Sequence, residues 1–202
     1  MDIAIALGVL AGLLHILVFA LYNRQMLKGI SQPNLATWIL WVFLTVLNVS
    51  SYAVMSDDWV KSILPLASSI ACILTFLFAL YKGKLSKIDP WDGLALGIGI
   101  ISSLVWWYYK SATYANLILQ FSIAVSFVPT YRGVWNNSLK ERALPWFMWS
   151  SAYILSIIVV ILRWQSQYQD LVYPVNCLIL HAVVGLLTKR HRNNIELQKR
   201  VL

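Results

Sequence analysis

The sequence predicts an all-α membrane protein. It reads as seven transmembrane helices in a 3+1+3 order, two parallel three-helix-bundle repeats joined by a linker helix. Three observations carry that prediction. Apolar residues make up 59% of the 202 positions and charged residues only 12%, about half the roughly 25% of a soluble domain. The apolar residues fall into seven stretches separated by short polar linkers, and the chain repeats itself weakly at a spacing of 108 residues. The same hydrophobicity, with a mean hydropathy of +0.68, excludes a disordered chain. Cys72 and Cys177 both sit in apolar runs, and two cysteines make no secreted disulfide framework.

A helix needs about 20 apolar residues to cross the hydrocarbon core. The seven stretches are 2–22, 35–55, 62–81, 94–109, 112–131, 145–162 and 171–187. The first has Asp2 and no basic residue at its amino end, and no small-residue cleavage site follows. It therefore reads as a span rather than a cleaved signal. The fourth is short, and Trp91 to Leu94 extends it. These stretches group as a first three-helix repeat (1–81), a linker with the fourth helix (82–110), a second three-helix repeat (111–188) and a basic tail (189–202).

Lys and Arg distribute thirteen to one side of the spans and three to the other, the three being Lys61, Lys110 and Arg163. The positive-inside rule then puts the amino terminus outside and the carboxyl terminus in the cytoplasm. The net charge of +8 is scattered over four cytoplasmic segments. That pattern fits topogenesis and contact with anionic lipid head groups better than nucleic-acid binding.

Internal symmetry is frequent in membrane transporters. Here residues 19–41 lie on 127–149 without a gap, with identities at Phe19/Phe127, Arg24/Arg132, Trp38/Trp146 and Trp41/Trp149. Roughly one or two identities would arise by chance over such a length. What strengthens the match is position: a basic residue recurs at the end of one helix, and a W-x-x-W pair recurs early in the next. Pro65 and Pro174 agree after a one-residue slip. A three-helix unit reverses side, so a parallel second copy needs one more crossing, which the fourth helix supplies.

On these features the chain resembles the PQ-loop and SWEET sugar-transporter superfamily, to which the Pnu vitamin transporters are related, as a divergent bacterial member. The resemblance covers nearly the whole chain in architecture and is thin in motifs. The family's Pro-Gln pair survives in part as Pro129-Thr130 and is Leu21-Tyr22 in the first half, while Gln32-Pro33 is reversed and lies in the following loop. Tyr173-Pro174-Val175-Asn176 is similar to the family's Pro-Asn region, where an Asn contacts substrate; the matching place in the third helix has Ala67 or Ser68. The resemblance implies a bacterial inner-membrane transporter.

Helical neighbours lie three and four apart. In the second span Trp38, Trp41, Thr45, Asn48 and Tyr52 form one stripe, and in the sixth Trp146, Trp149, Tyr153 and Ser156 form its counterpart. Asn116 and Gln120 share a face of the fifth span, where the first span has Gly8 and Gly12. Interfacial belts and helix-to-helix amide bonds compete with a binding cavity as explanations. Trp106, Trp107, Tyr108, Tyr109, Trp164 and Tyr168 read as belt, and Trp38 and Trp146 fit either. Trp41, Asn48, Asn116, Gln120, Trp149, Tyr153 and Asn176 are the candidate substrate-binding set, because intramembrane polar groups normally face a bundle interior or a wet cavity. Aromatic faces with a few amides suit sugars, nucleosides or vitamin rings. Pro33, Pro129 and Pro145 are the candidate hinges.

No acidic or basic residue is expected deep within a span, and His15 and His181 read as hydrogen-bonded structural residues. Asp57-Asp58 reads as solvated loop charge. Gly93, Gly97 and Gly99 read as a small-residue packing face, and the Gly8/Gly12 and Gly93/Gly97 pairs as packing within the bundle rather than between copies. There is no H-E-x-x-H, no G-x-S-x-G and no carboxylate pair within a span, so neither an enzyme nor a metal or cofactor is expected. The reading is a passive facilitator of a small polar solute, working by alternating access between the two repeats, its partners being the solute and the bilayer. The alternative is a non-transporting subunit or receptor that uses the same bundle to bind a protein partner or a second copy.

Overall fold

The computed structural model describes residues 2–29, 35–82, 90–136 and 141–201. They form helices α1 (Ile3–Leu27), α2 (Leu35–Ser56), α3 (Ile63–Lys82), α4 (Pro90–Tyr109), α5 (Ala112–Ser126), α6 (Val128–Asn136), α7 (Ala143–Leu162) and α8 (Gln169–Val201). No strand occurs among the described residues. Five helical segments are long and apolar enough to cross a membrane: α1, α3, α5 with α6, α7 and the first part of α8. Shorter apolar helices run over Leu40–Ser56 in α2 and Gly93–Tyr109 in α4. Leu10, Leu13 and Leu17 of α1 and Leu66, Leu74 and Leu77 of α3 lie open on the outer surface. Leucines exposed along two whole helices would be costly in water and are what a hydrocarbon surround requires. The chain is an integral membrane protein.

The helix ends follow local chemistry. Asp2 caps α1 by accepting the Ala4 N–H at 3.0 Å, and Ser111 caps α5 through the Tyr114 N–H at 3.3 Å. Such caps satisfy donors that a helix start leaves orphaned. The fifth apolar stretch, expected as one helix over 112–131, breaks at Phe127 and resumes as α6. Pro129 has no N–H for the carbonyl four residues back and disfavours helical geometry just before it. The Phe127 N–H turns back to the Ala124 carbonyl instead, at 3.2 Å. In α8, Pro174 likewise leaves the Asp170 carbonyl without a helical donor, and the Tyr52 hydroxyl fills that place at 2.8 Å. The basic tail, expected as a separate segment after 188, continues α8 to Val201. Its Lys, Arg, Glu, Gln and Leu are good helix formers, and no Gly or Pro follows Gly185.

The packing order is a ring. α3 lies between α1 and α2, and α8 lies between α5 and α7; the two sets meet where α1 packs on α7 and where α2 packs on α5. Exchanging α1, α2 and α3 with α5, α7 and α8 leaves this list of neighbours unchanged. α4 stands outside the ring, mainly against α5. Two serines lock it there: Ser102 donates to the Ala115 carbonyl and Ser122 to the Ala95 carbonyl. Gly8 and Gly12 bring α1 close to Val60, Ile63 and Ala67, within the bundle as expected. The expected glycine face on α4 reduces to Gly99, which abuts Phe43 and Leu44; Gly93 and Gly97 meet nothing within 4 Å. Their small size packs no neighbour among the described residues.

Candidate functional site

The two Trp-bearing stripes converge inside the ring. Trp38 and Trp41 of α2 and Trp146 and Trp149 of α7 line one cavity, with Phe19 of α1 and Phe127 at the break between α5 and α6. The Trp38–Trp41 and Trp146–Trp149 rings stand at the same 5.1 Å centroid distance, at 72° and 64°. Edge-to-face contacts of this kind hold a wall of rings in fixed orientation. Trp38 and Trp146, which fit belt or pocket by sequence, are 2% and 1% exposed and belong to the cavity. Trp107, Tyr108, Tyr109 and Tyr168 are exposed. The cavity volume is about 60 Å³, well under the roughly 300–1,000 Å³ of ordinary ligand pockets. A solute the size of a sugar ring must part the helices to occupy it.

Four of the seven sequence candidates, Trp41, Asn48, Trp149 and Tyr153, lie on the cavity wall. Asn116, Gln120 and Asn176 do not. They form a buried amide chain beside it: Asn116 donates to Asn48 Oδ1 at 3.1 Å and to Ser51 Oγ at 2.9 Å. Gln120 donates to Asn48 Oδ1 at 3.1 Å, and Asn176 to the Gln120 carbonyl at 3.1 Å. These bonds join α2, α5 and α8, and Asn48 is the member shared with the cavity. Of the hinge candidates, Pro129 lies two residues beyond the α5–α6 break and Pro145 is buried in the first turn of α7. Pro33 lies outside the described residues.

Two nitrogen atoms of the lining residues are buried with no hydrogen-bond partner among the described residues: Trp149 Nε1 and His15 Nδ1. His181, also on the wall, bonds through Nδ1 to the Cys177 carbonyl at 2.7 Å and is structural in the expected sense. His15, expected to be so as well, packs its ring against Phe19 and Tyr153. Leaving a buried polar group unpaired costs about 1–3 kcal/mol. The wall therefore carries two unmet polar demands.

Buried charge lies at the helix ends, where the sequence reads as solvated loop. Lys61 and Asp170, 1% exposed each, pair at 2.7 Å between the α2–α3 turn and the start of α8. Asp58, expected as solvated, is buried; it accepts the Val60 N–H at 2.9 Å and Arg163 Nε at 2.6 Å. Arg163 also reaches Asp2 at 3.1 Å. Asp57 alone of that pair is exposed. At the opposite ends of α2 and α7, Glu141 is buried; its Oε1 accepts the Tyr22 hydroxyl at 2.9 Å and its Oε2 the Trp146 indole N–H at 3.3 Å. In sequence Glu141 stands between Lys140 and Arg142, which reads as a solvated loop. The one usable signal was its position four residues before Pro145 at a span entrance.

The chain matches no protein-family model, no curated protein and no solved structure.

Proposed function

We propose that this chain is a facilitator of a small polar solute, built as seven spans in a 3+1+3 order. The two units are α1–α3 and α5–α8, α5 and α6 counting as one span, with α4 as the linker. Supporting this is the exchange of neighbours between the two sets, which a repeat related by an axis along the membrane normal would produce. The amino terminus lies outside and the α1–α2 and α3–α4 connections lie inside, by the distribution of basic residues.

The observation that carries the reading is the cavity at the junction of the two units, aromatic and bearing unpartnered Trp149 Nε1 and His15 Nδ1. Trp149 Nε1 is a donor only, so the solute presents an acceptor to it between flat apolar faces. Sugars, nucleosides and vitamin-like heterocycles share that combination. Bonds crossing the two units lie toward both ends of the helices: Lys61–Asp170 and Arg163–Asp58 at one, Tyr22–Glu141 at the other. Alternating access proceeds by releasing one set while the other holds, so transport is downhill rocking about a central site.

The test is thermal unfolding of detergent-purified protein against panels of sugars, nucleosides, heterocyclic vitamins and amino acids. A ligand at 100 times its Kd adds about 2.7 kcal/mol. One class is expected to raise Tm in the wild type and not in Trp149→Ala. A panel without any shift, followed by flat liposome flux for every class, would overturn the facilitator reading and favour a partner-binding subunit.

A further inference from the structure

Resting on the facilitator reading, we propose that the Glu141 carboxyl is a proton-binding site. Protonated, it holds α1 to the start of α7 behind the aromatic wall. On losing its proton to water it opens that end of the cavity. The geometry carries this. Glu141 precedes α7 directly, is 8% exposed, and has no ion-pair partner among the described residues. Its oxygens receive one neutral donor each, Tyr22 O–H from the first unit and Trp146 N–H from the second. Tyr22 in turn packs against Trp38, Trp146 and Trp149, at 5.8, 6.5 and 5.6 Å between ring centroids. Breaking the Tyr22–Glu141 bond thus frees the ring that backs three cavity residues.

A buried carboxylate without a cation is costly, while one reached by water is not. The closed arrangement therefore binds the proton more tightly than an open one, and by linkage ionisation favours opening. Consistent with this, burial pushes the carboxyl up to about 7, against the lowering effect of the two hydrogen bonds. Among the described residues no ionisable group pairs with it. On α1, Arg24 is exposed two residues beyond Tyr22, and Arg142 is half-buried next to Glu141 in the chain. From α8, His181 packs on Trp146 at 5.6 Å and spends its Nδ1 on the Cys177 carbonyl. Tyr22 is the bridge through which its ionisation reaches the first unit.

The chain supplies its own reporter, since its only two cysteines, Cys72 and Cys177, are free, buried and on the cavity wall. Full-length protein in detergent is labelled with N-ethylmaleimide between about pH 5.5 and about pH 8, on either side of the Glu141 transition. Glu141→Gln, which keeps the acceptor but cannot ionise, corrects for thiolate formation at each pH. The expected ratio of wild-type to Glu141→Gln labelling rates is near one in acid and rises on the order of tenfold by the alkaline end. Tyr22→Phe should raise labelling already in acid. A ratio independent of pH would overturn the proposal. If Glu141→Gln does not fold, infrared titration of the wild type decides: a carboxyl band lost near neutrality supports the site, and its absence above about pH 5.5 overturns it. No solute enters this experiment, so a failed solute screen leaves its outcome standing, and a flat labelling ratio leaves the facilitator reading standing.

Discussion

Glu141 shows how one side chain changes meaning with its surroundings. Between two basic residues in an extended chain it would ionise as an ordinary carboxyl. In the fold it is buried against Tyr22 and Trp146, and burial raises it to about 7. The folded state then holds a proton that the unfolded chain has released, over the window from about 4.5 to about 7. Stability is full below that window and falls as pH rises through it, by about 3 kcal/mol in total. Thermal unfolding of the wild type in detergent is expected to show this loss, and Glu141→Gln to lack it. A wild type and variant with parallel pH profiles would contradict the assignment. Trp149 and His15 make the complementary point, since each packs its ring well yet leaves one nitrogen unmet.

At the scale of helices, proline and glycine determine where the backbone bends and how closely it approaches. Pro129 ends α5 at Phe127 and so places that ring on the cavity wall, while Pro174 frees the carbonyl that receives Tyr52. Gly99 lets α4 sit against α2, because a Cβ there would lie 2.9 Å from Phe43 and 3.0 Å from Leu44. Gly99→Val is expected to destabilise by about 1–3 kcal/mol through overpacking, read as a lower Tm. Gly97→Val, with open space around it, should leave Tm nearly unchanged. Equal losses at both positions would show that the α2–α4 contact does not decide, since valine is a better helix former than glycine.

Across the whole molecule, the two helix sets are joined by more than apolar packing. The Lys61–Asp170 pair ties the α2–α3 turn to α8 with both side chains out of solvent. Removing one member leaves a buried charge alone, which costs about 3–5 kcal/mol, whereas replacing both by apolar residues is often neutral. Lys61→Met is therefore expected to lower Tm strongly, and Lys61→Met with Asp170→Leu to recover most of it. A double variant no better than the single would mean that Asp170 matters chiefly through other contacts. At the opposite end the bond between the sets involves a single carboxyl and two neutral donors. One end is thus held by opposite charges and the other by a bond that protonation can change.

Helix content, the membrane surround and the aromatic stripes were legible in the sequence. Those properties depend on local composition and on the three-and-four spacing of a helix, so Trp38, Trp41, Thr45 and Asn48 could be placed on one face from their numbers alone. Within the stripes nothing local distinguished an amide that faces a cavity from one that bonds to another amide. Asn116, Gln120 and Asn176 satisfy one another only because α2, α5 and α8 meet. Charge was least legible. Lys61, Asp170, Asp58 and Glu141 lie at span ends, where a linear reading finds solvent, and their partners lie more than 100 residues away in sequence. The sequence determined which residues must leave water; the tertiary structure decided which polar groups went with them, since desolvation is set by neighbours that only the fold brings together.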